Sequence, residues 1–219
     1  MSESLLEVIA LNATDARAAA AGGADRLELV SDIDADGLTP SVRTVAEVRD
    51  ACDLRLRVML RTRPDFATGD LDALAAKTSE LAAAGADGFV LGFIDGDNGL
   101  DVNAMRYLSA AGGLPWTCHR AIDHVRDYDA AFAGLDGMDR LDQILTAGSP
   151  AGVSSGMDNL LRRAHDALLM AGGGLRPEHV PGLRAAGIAS FHIGSAARDT
   201  WDAPVDARRV ERWRTLIDG

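Results

Sequence analysis

Apolar and polar positions along this chain fall into two alternating regimes. Short apolar or period-two runs lie at 5–10, 26–30, 56–61, 89–94, around Trp116, and at 143–146, 167–171 and 190–193, with the length of strands. Between them lie longer stretches with apolar residues three and four apart, the spacing of one helix face. Asn12 or Thr14 is placed to cap an alanine-rich helix that runs to Gly22 and Gly23. Thr39 and Pro40 read as N-cap and first helical residue of a helix with Val42, Val45 and Val48 on one face. Asp70 opens a helix that reaches Ala84 and Gly85. Others carry Met105 and Leu108, span 128–132 and 159–164, and run from Pro177 to Ala186, with Pro181 tolerable only near the start. A closing helix over 205–217 turns Val210, Trp213 and Leu216 inward.

Eight strands, each followed by a helix, predict a single (β/α)8 TIM-type barrel over residues 1–219. The segments 20–25, 83–87 and 185–189 repeat one pattern of helix end, glycine and strand start, and no linker interrupts the alternation. The alternative, an open doubly wound sheet, would more usually show a glycine-rich fingerprint after its first strand. Ile9-Ala10-Leu11-Asn12 is not one.

Composition changes the picture in two ways. At 219 residues and 47% hydrophobic, the chain can bury a large core. A net charge of −11 argues against nucleic acid and anionic membrane as partners, because both need a positive surface. The start of the chain lacks a basic and then apolar leader, and no apolar run is long enough to span a bilayer, so a cytoplasmic location is expected. Cys52 and Cys118 form no metal-binding spacing, and no metal ligand set follows from the pattern.

Candidate chemistry concentrates where strands end. The stretch from Leu114 to Asp123 starts as a strand and finishes on His119, Arg120 and Asp123, an imidazole, a guanidinium and a carboxylate at the rim of a sheet. Alternation sends His119 to the site with Thr117, and Cys118 to the surrounding helices. It groups Arg26 with Glu28 on the axial face, and Arg61 with Arg63. Glu7, in the middle of the first strand, needs a partner, and Arg26 and Arg61 are the candidates. The pattern suggests His119 as general acid/base, Arg61 and Arg120 as anion holders, and Glu7 or Glu28 as a second proton-transfer group. A structural ion network filling the barrel is the competing reading. Two glycine-rich turns, Gly172-Gly173-Gly174 and Gly194-Ser195-Ala196, follow the last two strands. With Arg176 or Arg198 they predict a phosphate or other small anion held by backbone amides.

Ala24-Asp25-Arg26-Leu27-Glu28-Leu29, Gly37-Leu38-Thr39-Pro40-Ser41, Arg61-Thr62-Arg63-Pro64-Asp65-Phe66, Cys118-His119-Arg120-Ala121-Ile122-Asp123, Leu145-Thr146-Ala147-Gly148, Met170-Ala171-Gly172-Gly173-Gly174 and Phe191-His192-Ile193-Gly194-Ser195-Ala196 resemble, in this order, the CutC copper homeostasis family. The resemblance implies a cytoplasmic, homo-oligomeric (β/α)8 barrel concerned with copper, which it alone brings in as a cofactor. The chain departs from the family pattern at Val30, where relatives often carry a cysteine proposed for copper. It also lacks the usual Gly-Gly before Asp65-Phe66, and Cys118 replaces the usual phenylalanine. The missing cysteine weakens a thiolate site, since Cu(I) favours sulfur, and Cys52 on a helix face and Cys118 on a strand are not expected to chelate one ion together. Two functions are therefore carried forward: copper homeostasis, and a barrel enzyme or binding protein for a small anionic or phosphorylated metabolite.

Overall fold

A computed structural model describes residues 4–219. Eight parallel strands close into a barrel in chain order: β1 (Leu5–Ala10), β2 (Arg26–Leu29), β3 (Arg55–Met59), β4 (Gly88–Leu91), β5 (Trp116–Cys118), β6 (Leu141–Thr146), β7 (Leu169–Ala171) and β8 (Ser190–Ile193). β8 pairs with β1, with Glu7 opposite His192, so no edge is left open. Around them lie α1 (Ala13–Ala21), α2 (Val42–Arg49), α3 (Leu71–Ala83), α4 (Val102–Gly112), α5 (Tyr128–Leu135), α6 (Val153–Arg162), α7 (Val180–Ala185) and α8 (Ala207–Asp218). The expected single (β/α)8 barrel is the fold.

Local capping explains where helices begin. Asn12 accepts from the amides of Thr14 and Asp15 and opens α1, and Asp70 accepts from Ala73 and opens α3. α2 differs from expectation. Its cap is Ser41, which accepts from Thr44. Thr39 instead exchanges hydrogen bonds with the backbone of Arg61, tying the β2–α2 loop to the end of β3. In α8 the residue facing the core beside Val210 and Trp213 is Ile217, while Leu216 is half-buried.

The main apolar core lies between strands and helices. Leu6, Val8, Leu27, Leu29, Val58, Phe89, Trp116, Cys118 and Phe191 point outward into it. Cys118 thus faces the helices, as alternation requires. A smaller cluster of Val30, Met59 and Val90, with Ile9, Leu11 and Ile33 against it, sits apart from this shell. No helix is long and apolar enough to cross a membrane among the described residues.

Candidate functional site

The axial face of the barrel is polar. Glu7, Arg26, Glu28, Arg57, Thr117 and His192 are all buried. Strand register sets Glu7 beside Arg26 and His192, and Glu28 beside Arg57. Arg26 Nε donates to Glu7 Oε2 at 2.5 Å, and His192 Nδ1 donates to Glu7 Oε1 at 2.9 Å. The same Nδ1 lies 3.3 Å from Glu28 Oε2, which has no hydrogen-bond partner in the protein. Arg26 therefore answers the buried charge of Glu7. Arg61, the other sequence candidate, does not.

This geometry drives the two carboxyls apart. Burial opposes ionisation of Glu7, but Arg26 and His192 outweigh it and hold the carboxyl down at about 2. Burial raises Glu28 to about 7, with His192 pulling the other way and the Glu7 charge adding to the rise. His192 resists charging because it is buried, yet Glu28 and Glu7 together raise its pKa. Of the two acids suggested as proton-transfer groups, Glu28 is the one poised near neutrality.

Arg57 is a site residue that sequence reading missed. It runs past Gly88, where a Cβ would stand 1.8 Å from its Nη1, and pairs with Asp142. The register between β5 and β6 shifts just there: Trp116 pairs with Leu141 and Thr117 with Gln143, leaving Asp142 as the extra residue that meets Arg57. Neither a bulge nor a glycine left open for a distant side chain has a local sequence signal. Strand alternation in β8 puts His192 on the axial face, but its partners have no local sequence signal.

A cavity of about 170 Å³ opens at the C-terminal ends of β1, β2, β7 and β8. Glu28 and His192 line it beneath a rim of Asp36, Arg120, Gly173, Gly174 and Gly194–Ala196, with Trp201 at one wall. Among the described residues, the amides of Gly173, Gly174, Ser195 and Ala196 have no protein acceptor. Gly172 differs: its N–H donates to Thr146 O, and a Cβ there would lie 2.8 Å from that of His192. Gly172 makes room rather than offering a donor. Arg198 is likewise engaged, buried against Asp15 and Ile9 O.

Arg61, His119 and Asp123 lie outside this cavity's lining. Arg61 donates to Asp36 O at 3.0 Å and to Pro64 O, and stacks 4.7 Å from the centroid of Phe66. Phe66 packs 5.6 Å from the His119 ring. His119 Nδ1 accepts from Ala121 N, which puts the proton on Nε2, a buried atom without a partner. Burial and then Arg61 hold its pKa down near 3. His119 is thus a neutral imidazole whose Nε2–H is the atom open to a partner. Arg63 is exposed and pairs with Asp65. Asp123 accepts from Thr146, Ala147, Gly148 and Arg120, and so fixes the loop after β6. That contact holds Arg120 over Gly173, where a Cβ would lie 2.5 Å from Nε.

Among the described residues, the buried trio that could ligate a cation is Glu7, Glu28 and His192, with ligand atoms within 4.8 Å of one another. The donor set is oxygen-rich, and Arg26 already occupies Glu7. Cys52 lies beyond the end of α2, and burial pushes the Cys118 thiol up, away from the thiolate that a metal needs. These residues do not fit a sulfur-ligated Cu(I) site.

The CutC family model matches residues 4–197. The family protein CutC of Xanthomonas axonopodis pv. citri is 35% identical over 204 residues, covering 87% of this chain and 82% of the relative. The copper homeostasis protein cutC homolog of Drosophila melanogaster is 32% identical over 217 residues, covering 93% and 82%. The CutC crystal structure from Streptococcus agalactiae superposes with a TM-score of 0.79 at 24% identity, covering 88% of this chain and 98% of that one. This last likeness concerns the fold.

Proposed function

The chain belongs to the CutC family, and from that premise we propose that it is a barrel enzyme moving a proton on a small anionic, phosphorylated metabolite. The observation that carries the reading is Glu28. Its carboxyl is held near 7, with Oε2 free of hydrogen bonds from the protein, in a cavity rimmed by glycine turns. A general acid–base group is most effective when its pKa lies near the working pH. Glu28 takes or gives the proton at the reacting atom. His192 Nδ1 stands 3.3 Å from Glu28 Oε2 while donating to Glu7, and the charge of Glu7, kept ionised by Arg26, steadies the imidazolium. The amides of Gly173, Gly174, Ser195 and Ala196, with Arg120 beside them, hold the anionic group. Backbone donors need no positive net charge, which suits a chain at −11.

The name of the Drosophila relative ties it to copper homeostasis. In this chain that link does not run through a thiolate site, because neither cysteine is placed to serve one. Free thiols at Cys52 and Cys118 do suit a reducing compartment, which supports the cytoplasm as the place of action.

A thermal-shift screen of phosphorylated metabolites, run beside a Cu(I) titration on wild type and Glu28→Gln, tests the reading. A ligand that binds the folded state should raise Tm in both proteins. Deuterium from solvent should enter that ligand only with wild type. No shift with any phosphorylated compound, together with one-to-one Cu(I) binding, would reject the proposal.

A further inference from the structure

We propose that the ligand carries a second anionic group, seated in an arginine-lined groove on the far side of the glycine rim. The inference rests on the barrel-mouth reading above and names the substrate class for it. The groove encloses about 510 Å³ between the β7–α7 loop and α8. Arg176 comes from the loop, and Arg209, Arg212 and Trp213 come from α8. Gly174, Leu175, Ser195 and Ala196 line both this groove and the barrel-mouth cavity, so the two hollows are opposite sides of one ridge.

The charge of the groove is set against that of the chain. With 33 acidic and 22 basic residues overall, three arginines and no carboxylate line this one hollow. Arg176 and Arg209 have partners outside the lining, in Glu178 and in Asp199 with Asp206. Arg212 has no carboxylate partner among the described residues; its Nε donates only to Arg208 O at 3.2 Å. Trp213, itself nearly buried, gives the groove a flat apolar wall. A guanidinium fork recognises phosphate or carboxylate through paired hydrogen bonds, which the neutral amides of the ridge do not. A ligand with one anionic group occupies the ridge and the mouth alone. One with two separated groups, a bisphosphate or a phosphorylated carboxylate, also reaches Arg212.

Calorimetric titration with two probes separates the possibilities: glycerol 3-phosphate, with one anionic group, and butane-1,4-diyl bisphosphate, with two. In the wild type the bisphosphate should bind at least about tenfold more tightly. Arg212→Gln, an exposed change that leaves folding intact, should abolish that gain and leave glycerol 3-phosphate binding as it was. Equal affinities in the wild type, or an Arg212→Gln protein that loses both probes alike, would overturn the inference while the barrel-mouth reading stands. If Gly173→Val leaves both affinities unchanged and Arg212→Gln still weakens the bisphosphate, the groove stands and the barrel-mouth anion site falls. Binding of neither probe overturns both.

Discussion

Replacing Glu28 by glutamine should change how folding stability depends on pH. The carboxyl moves from an ordinary 4.5 to about 7 in the folded chain. Between those values the folded protein holds a proton that the unfolded protein has released, so stability falls as pH rises. At about 1.36 kcal/mol per pH unit, ionised Glu28 costs the fold about 3 kcal/mol once pH is above both values. His192, raised by Glu28 and Glu7 against the effect of burial, acts in the same direction. The stability it adds is complete below its unfolded pKa and is lost as pH rises through the folded one. The coupled pair titrates as a unit. His119 acts oppositely. It stays neutral down to about 3 when folded, so its contribution grows with pH up to about 6.5 and masks the Glu28 effect in wild type. The difference between the proteins removes that mask. Urea unfolding of wild type and Glu28→Gln at pH 4, 5, 6, 7 and 8 should show the variant gaining about 3 kcal/mol relative to wild type across the series. A difference that stays constant with pH would refute the raised, buried carboxyl of Glu28.

Glu7→Gln should leave Arg26 buried without a counter-charge and cost about 3–5 kcal/mol by chemical denaturation. Combining it with Arg26→Met should recover much of that loss, and additive losses would show that the two do not form a pair. Gly88→Ala should lower Tm sharply, because the new Cβ meets Arg57 Nη1 at 1.8 Å and Pro115 O at 2.4 Å. Arg57→Leu in the same background should relieve part of the loss, and equal Tm values for the two variants would reject the close passage. Anaerobic Cu(I) titration should give the same weak, non-stoichiometric binding for wild type, Cys52→Ala and Cys118→Ala. A one-to-one site lost in either variant would contradict the assignment of both thiols as structural.

The fold was legible because its signals are local. Period-two runs and helical spacing are set by neighbours a few residues apart, and alternation alone predicted that Cys118 faces the helices while Arg26 and Glu28 face the axis. The caps at Asn12 and Asp70 follow from the same short-range chemistry. The Thr39-Pro40 signal misled because Thr39 is tied to Arg61, 22 residues away. The site depends on such distant partners throughout. Glu7 meets His192 across 185 residues because the barrel closes β8 onto β1. Arg57 reaches Asp142, 85 residues on, because a register shift leaves Asp142 unpaired and Gly88 leaves room. The rise of Glu28 to about 7 and the fall of His119 to about 3 follow first from burial inside the closed barrel, and then from the charges that closure sets beside each. Sequence by itself determined which face of each strand a side chain takes, because that is fixed by backbone geometry. Only the closed barrel decided which of those side chains meet, because that depends on distances of a few ångströms between strands remote in the chain.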